Sequence, residues 1–145
     1  MYEEQLSKTP DGGDFGIRSI AEDDHGFYWI CNTDFKYKVL LSEEENHNLS
    51  HLNLIRKAGL ENESTGTMYF LSMITDKQGD IWMVSYDDGV WQNTGEELIH
   101  HPVEGDECEI YISSIYKDKA GELWIGTQNN GAYKFNGKAF EKFEL

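Results

Sequence analysis

The chain has 145 residues, 27 acidic against 12 basic side chains and a formal net charge of −15, with 39% hydrophobic and 13% aromatic residues. That composition supports one packed domain and argues against wholesale disorder. So large a negative charge argues against nucleic acid and anionic membranes as partners, because phosphate affinity comes from Lys and Arg releasing condensed counterions, and no apolar run approaches the roughly 20 residues of a membrane helix.

Along the chain, the first residues, Met1-Tyr-Glu-Glu-Gln, have neither the basic nor the apolar region of an export signal, which leaves the compartment open. The first informative segment is Ser19-Ile20-Ala-Glu-Asp23-Asp-His-Gly26-Phe-Tyr-Trp29-Ile30. It recurs as Ser72-Met73-Ile-Thr-Asp76-Lys-Gln-Gly79-Asp-Ile-Trp82-Met83 and as Ser114-Ile115-Tyr-Lys-Asp118-Lys-Ala-Gly121-Glu-Leu-Trp124-Ile125. The shared frame is S-[IM]-x-x-D-x-x-G-x-x-W-[IM], and a repeat at such a period points to a repeat architecture. In each copy an apolar run ends at Asp-x-x-Gly, where Asp bonds its own backbone and Gly accepts positive φ, so the chain reverses in a tight hairpin.

The next run, Ile81-Trp82-Met83 or Leu123-Trp124-Ile125, is apolar at consecutive positions, predicting a strand buried on both faces. A second reversal at Asp88-Gly89 or Asn130-Gly131 leads to an aromatic strand with Trp91 or Tyr133. Thr94-Gly95 or Asn136-Gly137 then starts a last strand, clearest at 139–143; His100-His101 before Pro102 ends its counterpart in the second copy. After Trp29 the first copy is degenerate, with Lys36 and Lys38 at the corresponding positions. The longer spacing from Trp29 to Trp82 places an inserted loop at 42–66.

The expected fold is therefore all-β: a partial β-propeller of three four-stranded antiparallel blades in one repeat domain over 1–145. Blade one covers about 15–41 with the inserted loop 42–66, blade two about 67–103 and blade three about 110–145; residues 2–9 sit where the outer strand of a preceding blade would end. The structural residues are Trp29, Trp82, Trp124, Asp23, Asp76, Asp118, Gly26, Gly79 and Gly121. Closed rings use about four to eight blades, so three leave a ring incomplete. A homo-oligomer, the remainder of a longer propeller, and a stable open arc all stay open as solutions. Terminal blades expose apolar faces in any open array, and Trp29 and Trp124 belong to those blades.

The run from Asp118 to Thr127, D-x-x-G-x-x-W-I-G-T, followed by Asn-Asn-Gly-Ala-Tyr-Lys-Phe-Asn-Gly, resembles the two-component regulator propeller repeat of bacteria. The second copy matches with Val84-Ser85 in place of Gly-Thr; the first matches only through Trp29-Ile30. This resemblance implies a periplasmic or extracellular sensor or lipoprotein module, often tied to polysaccharide sensing, and hence a glycan as candidate ligand. Nothing in the chain resembles a kinase, receiver or DNA-binding domain.

No metal or cofactor is expected. The spacing around Asp23, Asp76 and Asp118 lacks the alternating oxygen ligands of a calcium loop. His47 and His51 stand four apart but have no third ligand at a telling spacing. The frame differs by one residue from the Asp-box hairpin of sialidase propellers, and Arg18 and Arg56 are too few for a three-arginine carboxylate clamp. Cys31 reads as a small core residue, with a Cys31–Cys108 disulfide as the alternative.

Hairpin alternation puts the Asp-x-x-Gly turns on one end of the sheets and the second-to-third-strand turns, with the connections between blades, on the other. This second face carries Asp34, Phe35, Tyr86, Asp87, Asp88, Gln128, Asn129 and Asn130, together with loops 42–66 and 104–109. It varies between copies and is rich in polar and aromatic groups, so it is the candidate ligand-binding face of a noncatalytic module. The alternative role is a structural scaffold whose blades pair with another chain. A lyase or hydrolase would instead need converging carboxylates with raised pKa values.

Overall fold

Each apolar run that ends in Asp-x-x-Gly folds into an antiparallel hairpin, and each hairpin grows into a meander. The computed structural model describes residues 16–23, 26, 28–31, 36–40, 53–57, 61–62, 66–67, 70–86, 88–103, 105 and 109–144; for 31, 36–40, 53–57, 61–62 and 66–67 the description is of the backbone. Among these residues there is no helix. The first sheet runs β1 (Ser19–Glu22), β2 (Tyr28–Cys31), β3 (Lys36–Leu40), β4 (Asn53–Lys57). A short ribbon of β5 (Glu61–Asn62) and β6 (Gly66–Thr67) follows. The second sheet is β7 (Phe70–Thr75), β8 (Ile81–Ser85), β9 (Val90–Asn93), β10 (Leu98–His101), and the third is β11 (Ile112–Lys117), β12 (Leu123–Thr127), β13 (Ala132–Phe135), β14 (Phe140–Lys142).

The segment expected to be one inserted loop, 42–66, contributes β4, which pairs with β3 from Lys36↔Lys57 to Leu40↔Asn53 and completes the first sheet. Pairing at a sheet edge needs backbone hydrogen bonds more than apolar side chains, so the polar composition of this stretch concealed it. The strand proposed for 2–9 lies outside the described residues, as do His25, Asp34, Phe35, His47, His51, Asp87 and Cys108.

The repeated aspartate does two tasks. Asp76 Oδ1 accepts the backbone N–H groups of Gln78 (2.9 Å) and Asp80 (3.0 Å), while Oδ2 accepts the Trp82 indole N–H at 2.7 Å. Asp118 repeats this with Glu122 N (2.9 Å) and Trp124 Nε1 (3.1 Å), and Asp23 accepts Trp29 Nε1 at 2.9 Å. The six-residue spacing from Asp to Trp therefore ties each turn to the strand that follows it. Gly26, Gly79 and Gly121 supply the positive φ (77°, 88° and 87°) that closes the turn. The Glu122 N–H and the Trp124 indole together hold the Asp118 carboxyl below the usual carboxylate range.

The sheets pack face to face in sequence order. Ala21 and Trp29 of the first sheet meet Phe70, Met73, Ile81 and Met83 of the second in one buried cluster, with Trp91 and Leu98 at its margin. Trp82, Val84 and Val90 of the second sheet meet Ile112, Ile115, Leu123, Ile125, Tyr133 and Phe140 of the third in another. The opening strands also share polar contacts. Met73 N donates to Ser19 Oγ at 2.9 Å, and at the equivalent place Ile115 N donates to Ser72 Oγ at 3.5 Å. The serine that opens the repeat frame thus bonds the backbone of the next sheet. Thr75 Oγ1 donates to the Glu22 carbonyl, and Lys117 Nζ to the Thr75 carbonyl.

Trp29 and Trp82 each pack against the following sheet, and two expectations are corrected. Trp29 is buried against the second sheet instead of being left open at an end. Trp124 is only half-buried, so the third copy's tryptophan strand is not enclosed on both faces, whereas every residue of β8 is buried.

Trp82 is surrounded: His101 stacks on it (centroids 4.7 Å, interplanar 26°), and Phe135 of the third sheet meets its edge at 5.0 Å. His101 Nε2 lies 2.8 Å from Gln92 Oε1, and Gln92 Nε2 donates to Asp80 Oδ2 at 2.6 Å. The repeat-equivalent pair in the third sheet is the Lys134–Glu122 ion pair at 2.7 Å. Burial lowers the His101 pKa below its ordinary value, adjacent His100 adds to the shift, and a hydrogen bond to the Lys138 backbone opposes it. The unfolded chain consequently takes up this proton first, and stability falls as pH drops through about 6.5 toward the lower folded value. His101→Phe, which copies Phe143 at the equivalent position, should lose less stability than the wild type over that interval. Urea denaturation at a series of pH values checks this; parallel curves would remove His101 from the explanation.

Candidate functional site

The β8–β9 and β12–β13 turns are one design used twice. Ser85 Oγ accepts Asp88 N at 2.8 Å and Thr127 Oγ1 accepts Asn130 N at 2.9 Å; the returning bonds Ser85 N to Gly89 O (3.1 Å) and Thr127 N to Gly131 O (3.0 Å) close both loops. A short hydroxyl side chain at the strand end therefore bonds back into each turn, and Tyr86 and Asp88 lie at the same end of neighbouring sheets as Gln128, Asn129 and Asn130. Gly89 has φ of 83°, and a Cβ there would lie 2.9 Å from His100 Nε2 and 3.2 Å from the His101 carbonyl. Only glycine fits that approach without displacement.

The connection from β10 to β11 joins the two turns. Ile112 N donates to Tyr86 O (2.9 Å) and Gln128 N to Tyr111 O (2.8 Å), so backbone bonds run from the second sheet through the connection to the third. Tyr86 and Tyr111 stack at 4.8 Å with 22° between planes, and Tyr86 Oη donates to Gln128 Oε1 at 3.4 Å. Asn129 accepts Tyr111 N at 3.2 Å and donates to the Glu109 carbonyl at 2.7 Å; Tyr111 Oη donates to the Glu109 carboxylate at 2.7 Å.

Beside this cluster lies a cleft of about 270 Å³, lined by Asp88, Gly89, His100, Pro102, Val103, Gly105, Ile110 and Ile112. Its aliphatic and polar lining, with no lysine or arginine among the described residues that form it, suits a small neutral ligand with hydroxyl groups. Trp91 packs behind His100 at 4.5 Å, and His100 Nε2 lies 2.7 Å from the Asp88 carbonyl, which fixes that imidazole at the wall.

Of the residues singled out by sequence, Tyr86, Asp88, Gln128, Asn129 and Asn130 fall on this one end of the sheets. Two are committed to the scaffold. Asn130 turns inward, donating to Tyr133 Oη at 2.8 Å and accepting from Lys142 Nζ at 2.7 Å; Asn129 pins the connection. Sequence reasoning reached Glu109 only as part of the 104–109 loop, placed His100 at the end of an outer strand, and missed Tyr111, Val103 and Ile110. Tyr111, between two isoleucines at the expected start of blade three, was the available signal.

Residues 107–129 match the family model described as two component regulator propeller. That match covers part of the third copy and the connection before it. The match spans the Tyr111 connection, the Asp118 turn and the Trp124 strand, so the family signature and one side of the cleft share a segment. No curated protein matches the chain. Among solved structures, it is similar to a catalytically inactive virginiamycin B lyase from Staphylococcus aureus with quinupristin, at a TM-score of 0.63 and 14% identity, covering 90% of this chain and 42% of that one. A streptogramin B lyase gives 0.61 and 15%, covering 90% and 41%. The extracellular domain of a hybrid two component system from B. thetaiotaomicron gives 0.59 and 18%, covering 97% and 18%. These are β-propellers, and at such identities the likeness is one of fold. The repeat-bearing chain spans less than half the length of each.

Proposed function

We propose that the three four-stranded sheets are blades of a β-propeller that works as a noncatalytic binding or sensor-type module, placed outside the cytoplasm, with a glycan as ligand. The propeller-repeat match and the likeness to an extracellular two component domain support the class and the compartment. The observation that carries the binding role is the Tyr86–Tyr111 stack, bonded to Gln128 and Glu109, at the same end of the sheets as the cleft that Asp88 lines. Aromatic faces stack on the apolar face of a sugar ring, while carboxylate and amide oxygens accept its hydroxyls, and a rim with no lysine or arginine among its described residues favours neutral saccharides over anionic ones. The lyases share this fold, but fold alone does not carry their chemistry.

A glycan-array screen followed by calorimetry tests this reading. Tyr86→Ala and Gln128→Ala should each weaken binding about tenfold or more, as removal of an anchoring contact does, while the denaturation midpoint stays near that of the wild type. Unchanged affinity in both variants, or no saccharide bound across the array, counts against it.

A further inference from the structure

The repeat makes equivalent positions directly comparable, and among the described residues the comparison shows one exposed face on the first sheet and one on the third. On the face that looks back toward the preceding sheet, the frame's second residue is Ile20, Met73 or Ile115. Met73 and Ile115 are 4% and 5% exposed, whereas Ile20 is 58% exposed, with Ile17 also open nearby. On the face that looks forward, the residue opposite the tryptophan is Ala21, Ile74 or Tyr116, paired with Trp29, Trp82 and Trp124. Ala21 is buried and Ile74 packs on the core, but Tyr116 is 63% exposed.

The forward face of the third sheet is also built like the filled one of the second. Trp124 meets Phe143 edge-on at 5.1 Å, where Trp82 carries His101, and Lys134 sits 5.3 Å over the Trp124 ring. A groove of about 370 Å³ lies at the outer β13–β14 edge of this sheet, its lining including Glu122, Lys134, Glu141 and Phe143. In the second sheet the corresponding space receives Phe135 and Phe140 from its neighbour. The polar contacts point the same way: Ser19 and Ser72 each accept a backbone N–H from the next sheet, and Ser114, their equivalent, is exposed.

The two open faces are the two halves of the interface that occurs twice inside the chain, one half at each end of the stack. We infer that a second copy of this chain docks head to tail, its Ile20 face on the Tyr116–Trp124 face of the first, with Ser114 Oγ accepting the Ile20 N–H. The contact is heterologous, since neither face is complementary to itself. Joined at both faces, two copies present six sheets, within the roughly four to eight that closed propellers use. The net charge of −15 on each copy opposes the approach, so association should strengthen with added salt, opposite to a contact driven by ion pairs.

Sedimentation of the wild type over a concentration and salt series should show a species of two or more chains, growing with salt. Ile20→Glu and Tyr116→Glu change exposed side chains and should stay folded, which near-ultraviolet circular dichroism verifies. Each variant alone should sediment as a monomer, because every joint then includes one damaged face. Mixed together they should form a one-to-one pair, since the intact forward face of Ile20→Glu meets the intact backward face of Tyr116→Glu. A monomeric wild type overturns the inference, as does a folded mixture that stays monomeric, or a variant that associates as the wild type does.

Discussion

Replacing Trp82 by alanine will lower the unfolding free energy by about 3–5 kcal/mol, the range for removing a large aromatic side chain from a packed core. Trp82 is 3% exposed, and its removal opens a cavity between the second and third sheets. It also strips the stacking partner from His101 and the edge contact from Phe135. Trp124→Ala removes the same atoms at the equivalent position, where no following sheet covers the ring among the described residues, and at the low protein and salt concentrations that keep the chain monomeric it should cost about half as much or less, because the loss scales with the area taken from water. Urea denaturation of both variants gives the comparison. Equal losses would mean that the tryptophans stabilise their own sheets and not the joint to the next one.

Asp76→Ala should cost about 2–4 kcal/mol, the second largest effect expected, because hydrogen bonds to a charged acceptor contribute roughly 1.5–3 kcal/mol each and do not add fully. One carboxylate holds the N–H groups of Gln78 and Asp80 and the indole of Trp82. Truncation leaves the part-buried indole donor without its acceptor and frees the turn. A double-mutant cycle with Trp82→Phe isolates the side-chain pair. A coupling near zero would show that the aspartate acts on the turn alone.

Much of the architecture was legible because its determinants are local. Asp-x-x-Gly needs only its own backbone and one positive φ, and the frame recurs at Asp23, Asp76 and Asp118, so the hairpins follow from neighbouring residues. β4 was not legible: Asn53–Lys57 pairs through its backbone at a sheet edge and carries no apolar alternation to reveal it. The candidate site was half legible. Tyr86, Asp88 and Gln128 were reached through turn alternation and Glu109 through the 104–109 loop, but Tyr111 is held there by the bonds of the β10–β11 connection to both turns, and His100 by the β9–β10 pairing.

By itself the sequence determined the strand-turn order, the aspartate–tryptophan pairing of each repeat and the end of the sheets on which the variable turns gather. Only the tertiary structure decided which way each tryptophan faces, that Asn130 serves the scaffold, and that Ile20 and Tyr116 are left open while their equivalents are covered. The physical reason is that turn chemistry acts over a few residues, whereas burial depends on which sheet packs on which face. Identical motifs acquire different surroundings according to their place in the stack.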